Sequence, residues 1–174
     1  MAALDAGEQA PAAVPDAELT REQVIARNLE VVEAHFHNET PENVEKAVAA
    51  YTDDIVWEGP GRGLVLHSTE EALAGYRDIF ASLKVHSITS LRRFATEQFV
   101  FDDCIYDATY VEDRMQNFPF PPGTRVSLRL AHVFEMRDGK IAKEIAYEII
   151  RRADDADLVN DYVPEGSAVE TVDV

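Results

Sequence analysis

The stretch TRVSLRLAHVFEMRDGKIAKEIAYEIIRR, residues 124–152, decides the fold. From Thr124 to Met136 it alternates, with Val126, Leu128, Leu130, His132 and Phe134 on one face and Arg125, Ser127, Arg129 and Glu135 on the other. A period of two marks a half-buried strand. The run from Lys140 alternates again, and Asp138-Gly139 between the two runs is a strong hairpin signal. In this second strand Ile141, Ile145, Tyr147 and Ile149 point one way, and Ala142, Glu144, Ala146 and Glu148 the other. The aliphatic face can be the core, leaving the acids in solvent. Alternatively it covers a subunit interface and the acids face a cavity. Composition leaves both open.

Working back towards the N-terminus, the same period predicts strands near 87–97 and 104–112. Before residue 86 the period is helical. Thr20-Arg21-Glu22-Gln23 reads as a capping box, followed by Ile25, Leu29, Val32 and Phe36 at helical spacing. Thr40-Pro41 restarts a helix with the stripe Val44, Ala47, Val48 and Tyr51. Ile55-Val56-Trp57-Glu58 is a short strand, stopped by Gly59-Pro60-Gly61-Arg62-Gly63. Ser68-Thr69-Glu70-Glu71 caps a third helix bearing Leu73, Tyr76, Phe80 and Leu83. The order ααβαββββ predicts an α+β domain, with helices on one face of a curved, mostly antiparallel sheet.

The chain of 174 residues has one domain's worth of core, and its net charge of −17 opposes binding to nucleic acid or anionic lipid. No apolar run approaches the roughly 20 residues that span a bilayer, and no signal-peptide pattern opens the sequence. Cys104 is the only cysteine, which excludes a disulfide framework and a thiolate zinc cluster. A soluble cytoplasmic protein is expected. Residues 1–18 hold four acids and no base in an Ala/Pro-rich context, the composition of a disordered tail. Residues 153–174 hold seven acids and no base, an acidic C-terminal tail. That tail is either disordered or docks through Leu158, Val159, Tyr162 and Val163 on a neighbouring subunit. The folded unit is therefore residues 19–152.

His132 is the ionisable side chain on the apolar face of its strand. Desolvation there is expected to keep it neutral, able both to donate and to accept a hydrogen bond. From spacing alone the favoured reading is a core histidine satisfied by a carbonyl, because buried polar groups are usually just paired. His35 and His37 lie two apart on a helix and cannot share a metal; no other His/Asp/Glu set has metal-ligand spacing along the chain. The glycine loop at 59–63 lacks the lysine and spacing of a phosphate loop, and Ser68 and Ser127 carry no nucleophile signature. Acid–base chemistry without metal or cofactor is the expectation that remains.

Asn38-Glu39-Thr40-Pro41-Glu42-Asn43, the run Ala49-Ala50-Tyr51-Thr52-Asp53-Asp54-Ile55-Val56-Trp57-Glu58, Glu70-Glu71-Ala72-Leu73 and Phe134 to Ile141 together resemble nuclear transport factor 2-like proteins. Within that superfamily the chain is most similar to the SnoaL-like polyketide cyclase and ketosteroid isomerase branch, over about residues 19–152. The resemblance implies a cone, or cystatin-like roll: a bent sheet around a long helix with a deep apolar pocket. It also implies a homodimer or higher homo-oligomer joined through the outer sheet face.

Residue by residue, His132 falls where the isomerases carry an oxyanion-stabilising aspartate. The isomerase base aligns with Gly59, and the SnoaL-like acid/base aspartate with Ala146, so neither mechanism transfers intact. Glu148 and Glu58 are the natural replacements, with Glu144 behind them and Asp107 as a further candidate or a plain surface acid. Trp57, Tyr76, Phe80, Tyr106 and Tyr110 lie on elements that line the cone, unless they serve only as core. The loop Phe118-Pro119-Phe120-Pro121-Pro122 can roof its mouth, and Arg62 and His67 can meet a polar end of a ligand.

The expected function is a cofactor-independent isomerase, cyclase, dehydratase or lyase acting on a small hydrophobic, aromatic or polycyclic molecule with hydroxyl or carbonyl groups. The rival is a non-catalytic binding module or a protein-interaction subunit of the same fold.

Overall fold

The computed structural model describes residues 14–155 and, as backbone only, 170–173. Helix α1 (Arg21–His37) starts on a complete capping box: Gln23 N–H donates to the Thr20 hydroxyl at 3.3 Å and Thr20 N–H to the Gln23 side chain at 2.8 Å. A short α2 (Val44–Val48) follows a turn at Thr40, whose hydroxyl accepts from Asn43 N–H. Strand β1 runs Tyr51–Gly59, a 3-10 turn covers Pro60–Arg62, and β2 is Leu64–Leu66. Gly63 between them has φ +63°, a conformation that costs a side-chain-bearing residue and not glycine.

Helix α3 (Thr69–Ser82) is capped by Ser68, which accepts from Glu71 N–H at 3.1 Å. The Glu71 carboxylate turns instead to His67 N–H, so only half of the expected box forms. The chain leaves α3 directly into β3 (Leu83–Ala95), then β4 (Phe99–Tyr110), β5 (Arg125–Arg137), β6 (Lys140–Arg152) and a short β7 (Glu170–Asp173). Leu158, Val159, Tyr162 and Val163 lie outside the described residues.

The strands form one sheet in the order β2-β1-β6-β5-β4-β3-β7. All neighbours pair antiparallel except β1 and β6, which run parallel. Tyr51 therefore opens β1 and does not close the second helix: it stands opposite Ile141, and Ile141 N–H donates to Ala50 carbonyl at 2.9 Å. The β5–β6 turn carries Asp138 and Gly139 at φ 49° and 75°, as the Asp-Gly pair requires.

A bulge where Met136 faces Ile141 and Glu135 faces Lys143 adds one residue to β6. It turns Ile141 inward to full burial, away from Ile145, Tyr147 and Ile149 with which alternation grouped it. The helices cover one face of the sheet, where Val31, Val32, Tyr51, Ile55, Trp57, Tyr76, Phe134 and Ile141 make the main core. A second cluster, Ala108, Val126 and Leu128, packs under Phe118 and Phe120. On the opposite face Phe94, Phe99, Tyr147 and Ile149 remain exposed.

Candidate functional site

Strand register sorts the side chains. Phe134 faces Glu144, His132 faces Ala146 and Leu130 faces Glu148, so both glutamates of β6 point to the helix-covered side. Trp57 of β1 stands opposite Glu144 on that side as well. The parity that sequence left open is resolved: the acids face inward, and Tyr147 and Ile149 are exposed.

Glu144 is the centre of a buried polar network. The Tyr51 hydroxyl donates to Glu144 Oε2, and the Tyr76 hydroxyl lies 2.8 Å from that of Tyr51. Tyr76 also donates to Glu39 Oε1 at 2.9 Å. His35, fully buried on α1, donates from Nδ1 to the Ala47 carbonyl at 3.0 Å. That bond leaves Nε2 for Glu39 Oε1 at 2.8 Å and Glu144 Oε2 at 3.5 Å.

Burial alone would lower the His35 pKa, but bonds and charge from Glu144 and Glu39 outweigh it and raise it to about 10. The ring is an imidazolium between two carboxylates. Burial also works to raise the Glu144 pKa, yet His35, His132 and Tyr51 together hold it below the usual carboxylate value. Burial and the carboxylates push both phenols well above their ordinary range, so Tyr51 and Tyr76 stay protonated donors.

Beside this network lies a cavity of about 550 Å³, a size suited to a small organic molecule. Trp57, Tyr76, Ile79 and Met115 give it apolar wall, and Arg62 and His67 give it polar wall. Tyr76 belongs to both the wall and the network. Trp57 Nε1 is buried without a hydrogen-bond partner. Arg62, expected on a loop, is itself buried and grips Glu148 through Nε and Nη2 at 2.7 and 3.1 Å. Phe80 stacks on Tyr76.

Other expected residues stand apart. Tyr106 and Phe120 pack against the second cluster, and Tyr110 stacks on Phe118 while donating to Asp113 at 2.8 Å. Glu58 and Asp107 do not join the site. Register places Glu58 opposite Ile145 and Asp107 opposite Ser127, on the face away from the helices. There Glu58 pairs with Lys143 at 2.9 Å, and Arg125 holds the Asp107 carboxyl below its ordinary pKa.

His132 is inward and buried, but it is not kept neutral as expected. Desolvation pulls its pKa down; Asp102, Glu144 and Glu39 pull harder and raise it. Its ring lies against Phe36 and Phe134, and both phenyl rings also touch His35.

His35, Glu39 and Tyr51 were not anticipated as site residues. The readable signal was His35 and Glu39 at i and i+4, with His35 in line with Val31, Val32 and the rest of the buried stripe. The expectation that no side-chain set is placed for a metal also needs correcting, since donors from separate strands and helices converge on folding. Among the described residues two sets converge, His35 with Glu39 and Glu144, and Asp102 with Cys104 and His132, each with donor atoms within 4.8 Å.

A bent, mostly antiparallel sheet cupping three helices over an inward carboxylate defines an α+β protein of the nuclear transport factor 2-like class. More narrowly, the chain belongs to the SnoaL-like domain family, which matches residues 32–144. No curated protein sequence matches it.

Solved structures share the fold at low identity. A candidate polyketide cyclase from a Silicibacter species superposes with TM-score 0.60 at 16% identity, over 72% of this chain and 90% of that one. An LEH-like epoxide hydrolase from M. tuberculosis gives 0.55 at 20%, over 72% and 84%. A protein with a ketosteroid isomerase-like fold from Catenulispora acidiphila, solved with trimethylamine, gives 0.53 at 17%, over 68% and 84%. No helix among the described residues is long and apolar enough to cross a membrane.

Proposed function

We propose that the protein is an acid–base enzyme that moves protons on a small hydrophobic substrate bearing a carbonyl or hydroxyl oxygen. Tyr76 carries this reading, because the residue lines the cavity and its hydroxyl belongs to the His35–Glu39–Glu144–Tyr51 network. A substrate oxygen in the cavity takes the Tyr76 proton as negative charge develops on it. His35 Nε2, 3.2 Å from the Tyr76 oxygen, replaces that proton and is left neutral.

Glu148 is the base we assign. Glu58 and Asp107 point to the outer face, and the inward Glu144 is bound up with Tyr51 and His35, whereas the inward Glu148 is held by Arg62, which lines the cavity. A proton passes from substrate carbon to Glu148 while the oxygen gains one from Tyr76. Isomerisation, cyclisation, dehydration and carbon–carbon cleavage all use that step. The names of the solved neighbours, cyclase, isomerase and epoxide hydrolase, accord with proton delivery to oxygen. We place the enzyme in the cytoplasm, as a homo-oligomer joined through the face bearing Phe94, Tyr147 and Ile149.

The test is a panel of cyclic ketones and hydroxylated aromatics in deuterated water, followed by NMR. The expected result is enzyme-dependent deuterium uptake or turnover, slowed on the order of 100-fold in Tyr76→Phe with ligand binding retained. A ligand that binds without exchange or turnover makes the protein a binding module. Unaltered rates in Tyr76→Phe remove the network from the chemistry.

A further inference from the structure

We infer that Asp102, Cys104 and His132 form a binding site for one divalent transition-metal ion of the zinc type. Asp102 and Cys104 are two apart on β4 and so share its inner face, and His132 stands directly opposite Asp102 on β5. The three residues are 2%, 3% and 6% exposed. Their donor atoms lie within 4.8 Å of one another.

A second observation points to an ion. His132 Nδ1 is buried without a hydrogen-bond partner. It lies 3.6 Å from Asp102 Oδ2, too long for a hydrogen bond. Two donors that share a tetrahedral zinc sit about 3.4 Å apart, given the usual zinc–nitrogen and zinc–oxygen lengths. The gap therefore suits two ligands of one ion better than two partners of one proton.

The surroundings orient the ligands. Arg93 Nε donates to Asp102 Oδ1 at 2.8 Å, which fixes the carboxylate and leaves Oδ2 towards His132. Phe36 meets the imidazole edge-to-face and Phe134 stacks on it, so the ring has little freedom to turn away. Carboxylate and thiolate together neutralise a divalent charge, and binding releases the Cys104 thiol proton and the extra His132 imidazolium proton to solvent. Three protein donors leave one tetrahedral position for water or a ligand. The site is distinct from the tyrosine network and does not depend on the function proposed above.

The experiment strips the full-length protein with a chelator, then dialyses it against Zn²⁺ or Co²⁺. Elemental analysis is expected to return one equivalent of zinc per chain. Cobalt is expected to give a sulfur-to-metal charge-transfer band; because the chain has a single cysteine, that band reports Cys104 alone. Cys104→Ser should abolish the band with an unchanged far-ultraviolet circular dichroism spectrum. Arg93→Lys should weaken retention by roughly 10- to 100-fold, as loss of an orienting partner does. Failure of the wild-type chain to retain an equivalent, or cobalt bound without the band, overturns the site.

Discussion

The hydroxyls of Tyr51 and Tyr76 meet 2.8 Å apart, one from the start of β1 and the other from the middle of α3. Two phenolic protons must serve three contacts: Tyr51 to Glu144, Tyr76 to Glu39, and the two hydroxyls to each other. One contact always lacks its proton, and turning a hydroxyl shifts that gap along the chain between the two carboxylates without moving a heavy atom. Low dielectric strengthens each bond and makes a missing one costly.

Glu144→Ala removes an ionised partner from beneath the His35 imidazolium and strands the Tyr51 hydroxyl. The loss expected for breaking one side of a buried charge pair is about 3–5 kcal/mol. Glu144→Gln keeps an acceptor for Tyr51 and should cost less. Urea unfolding of the two variants checks this order, and equal stability of Glu144→Ala and wild type would sink the network as a structural element.

Stability should fall as pH rises from about 6.5 to about 10. His35 has a folded pKa of about 10 against its ordinary 6.5, so the unfolded chain loses this proton first. Its contribution is complete below pH 6.5 and gone above the folded value, with a slope of at most about 1.4 kcal/mol per pH unit. The groups facing His35 are Glu39, Glu144, Tyr51 and Tyr76. The raised phenols continue the decline beyond pH 10, and the raised His132 adds to it in the same sense. Denaturant midpoints measured across this range should flatten in His35→Gln, leaving the His132 part.

Much of this architecture was legible because strands announce themselves by parity. The Val126 to Phe134 alternation, the Asp138-Gly139 turn and the Thr20 cap appear in the structure where the sequence put them. Parity failed where the backbone adds a residue: the bulge opposite Glu135 and Met136 reverses Ile141, which no local pattern encodes. Long-range register was equally hidden. Parallel pairing with β6 makes Tyr51 a strand residue although its spacing from Val44 and Val48 is helical. The site suffered most, since His35, Tyr51, Tyr76 and Glu144 come from four elements and meet only after folding. Glu58 and Asp107 failed for the converse reason: an acid beside an inward residue on a strand points outward.

Arg62→Lys should separate binding from folding. Arg62 reaches Glu148 with two bonds, and its carbonyl accepts from Asn117 Nδ2 at 2.7 Å. Lysine keeps the charge and the carbonyl but loses the fork. We expect near-native unfolding and a rise in KM of about tenfold, roughly one good hydrogen bond. Arg62→Ala leaves the Glu148 carboxylate buried alone and should lower stability by about 3 kcal/mol. Equal KM in Arg62→Lys and wild type would remove Arg62 from the substrate surface.

The outer sheet face should be where copies of the chain meet. Phe94, Phe99, Tyr147 and Ile149 are exposed there, and Ile145 lies among them. Nearby, Arg129 pairs with Asp103 at 2.8–2.9 Å and Arg125 with Asp107, so the charges bordering the apolar centre are already compensated. Burying large apolar side chains contributes about 25 cal/mol per Å² removed from water, which compensated charges do little to oppose. Tyr147→Arg combined with Ile149→Arg puts two like charges at the middle of a self-complementary patch, where each meets its own copy. Light scattering should then report a monomer from a wild-type oligomer, with circular dichroism unchanged because neither side chain reaches the core. An unaltered mass for the double variant would place the contact on another face.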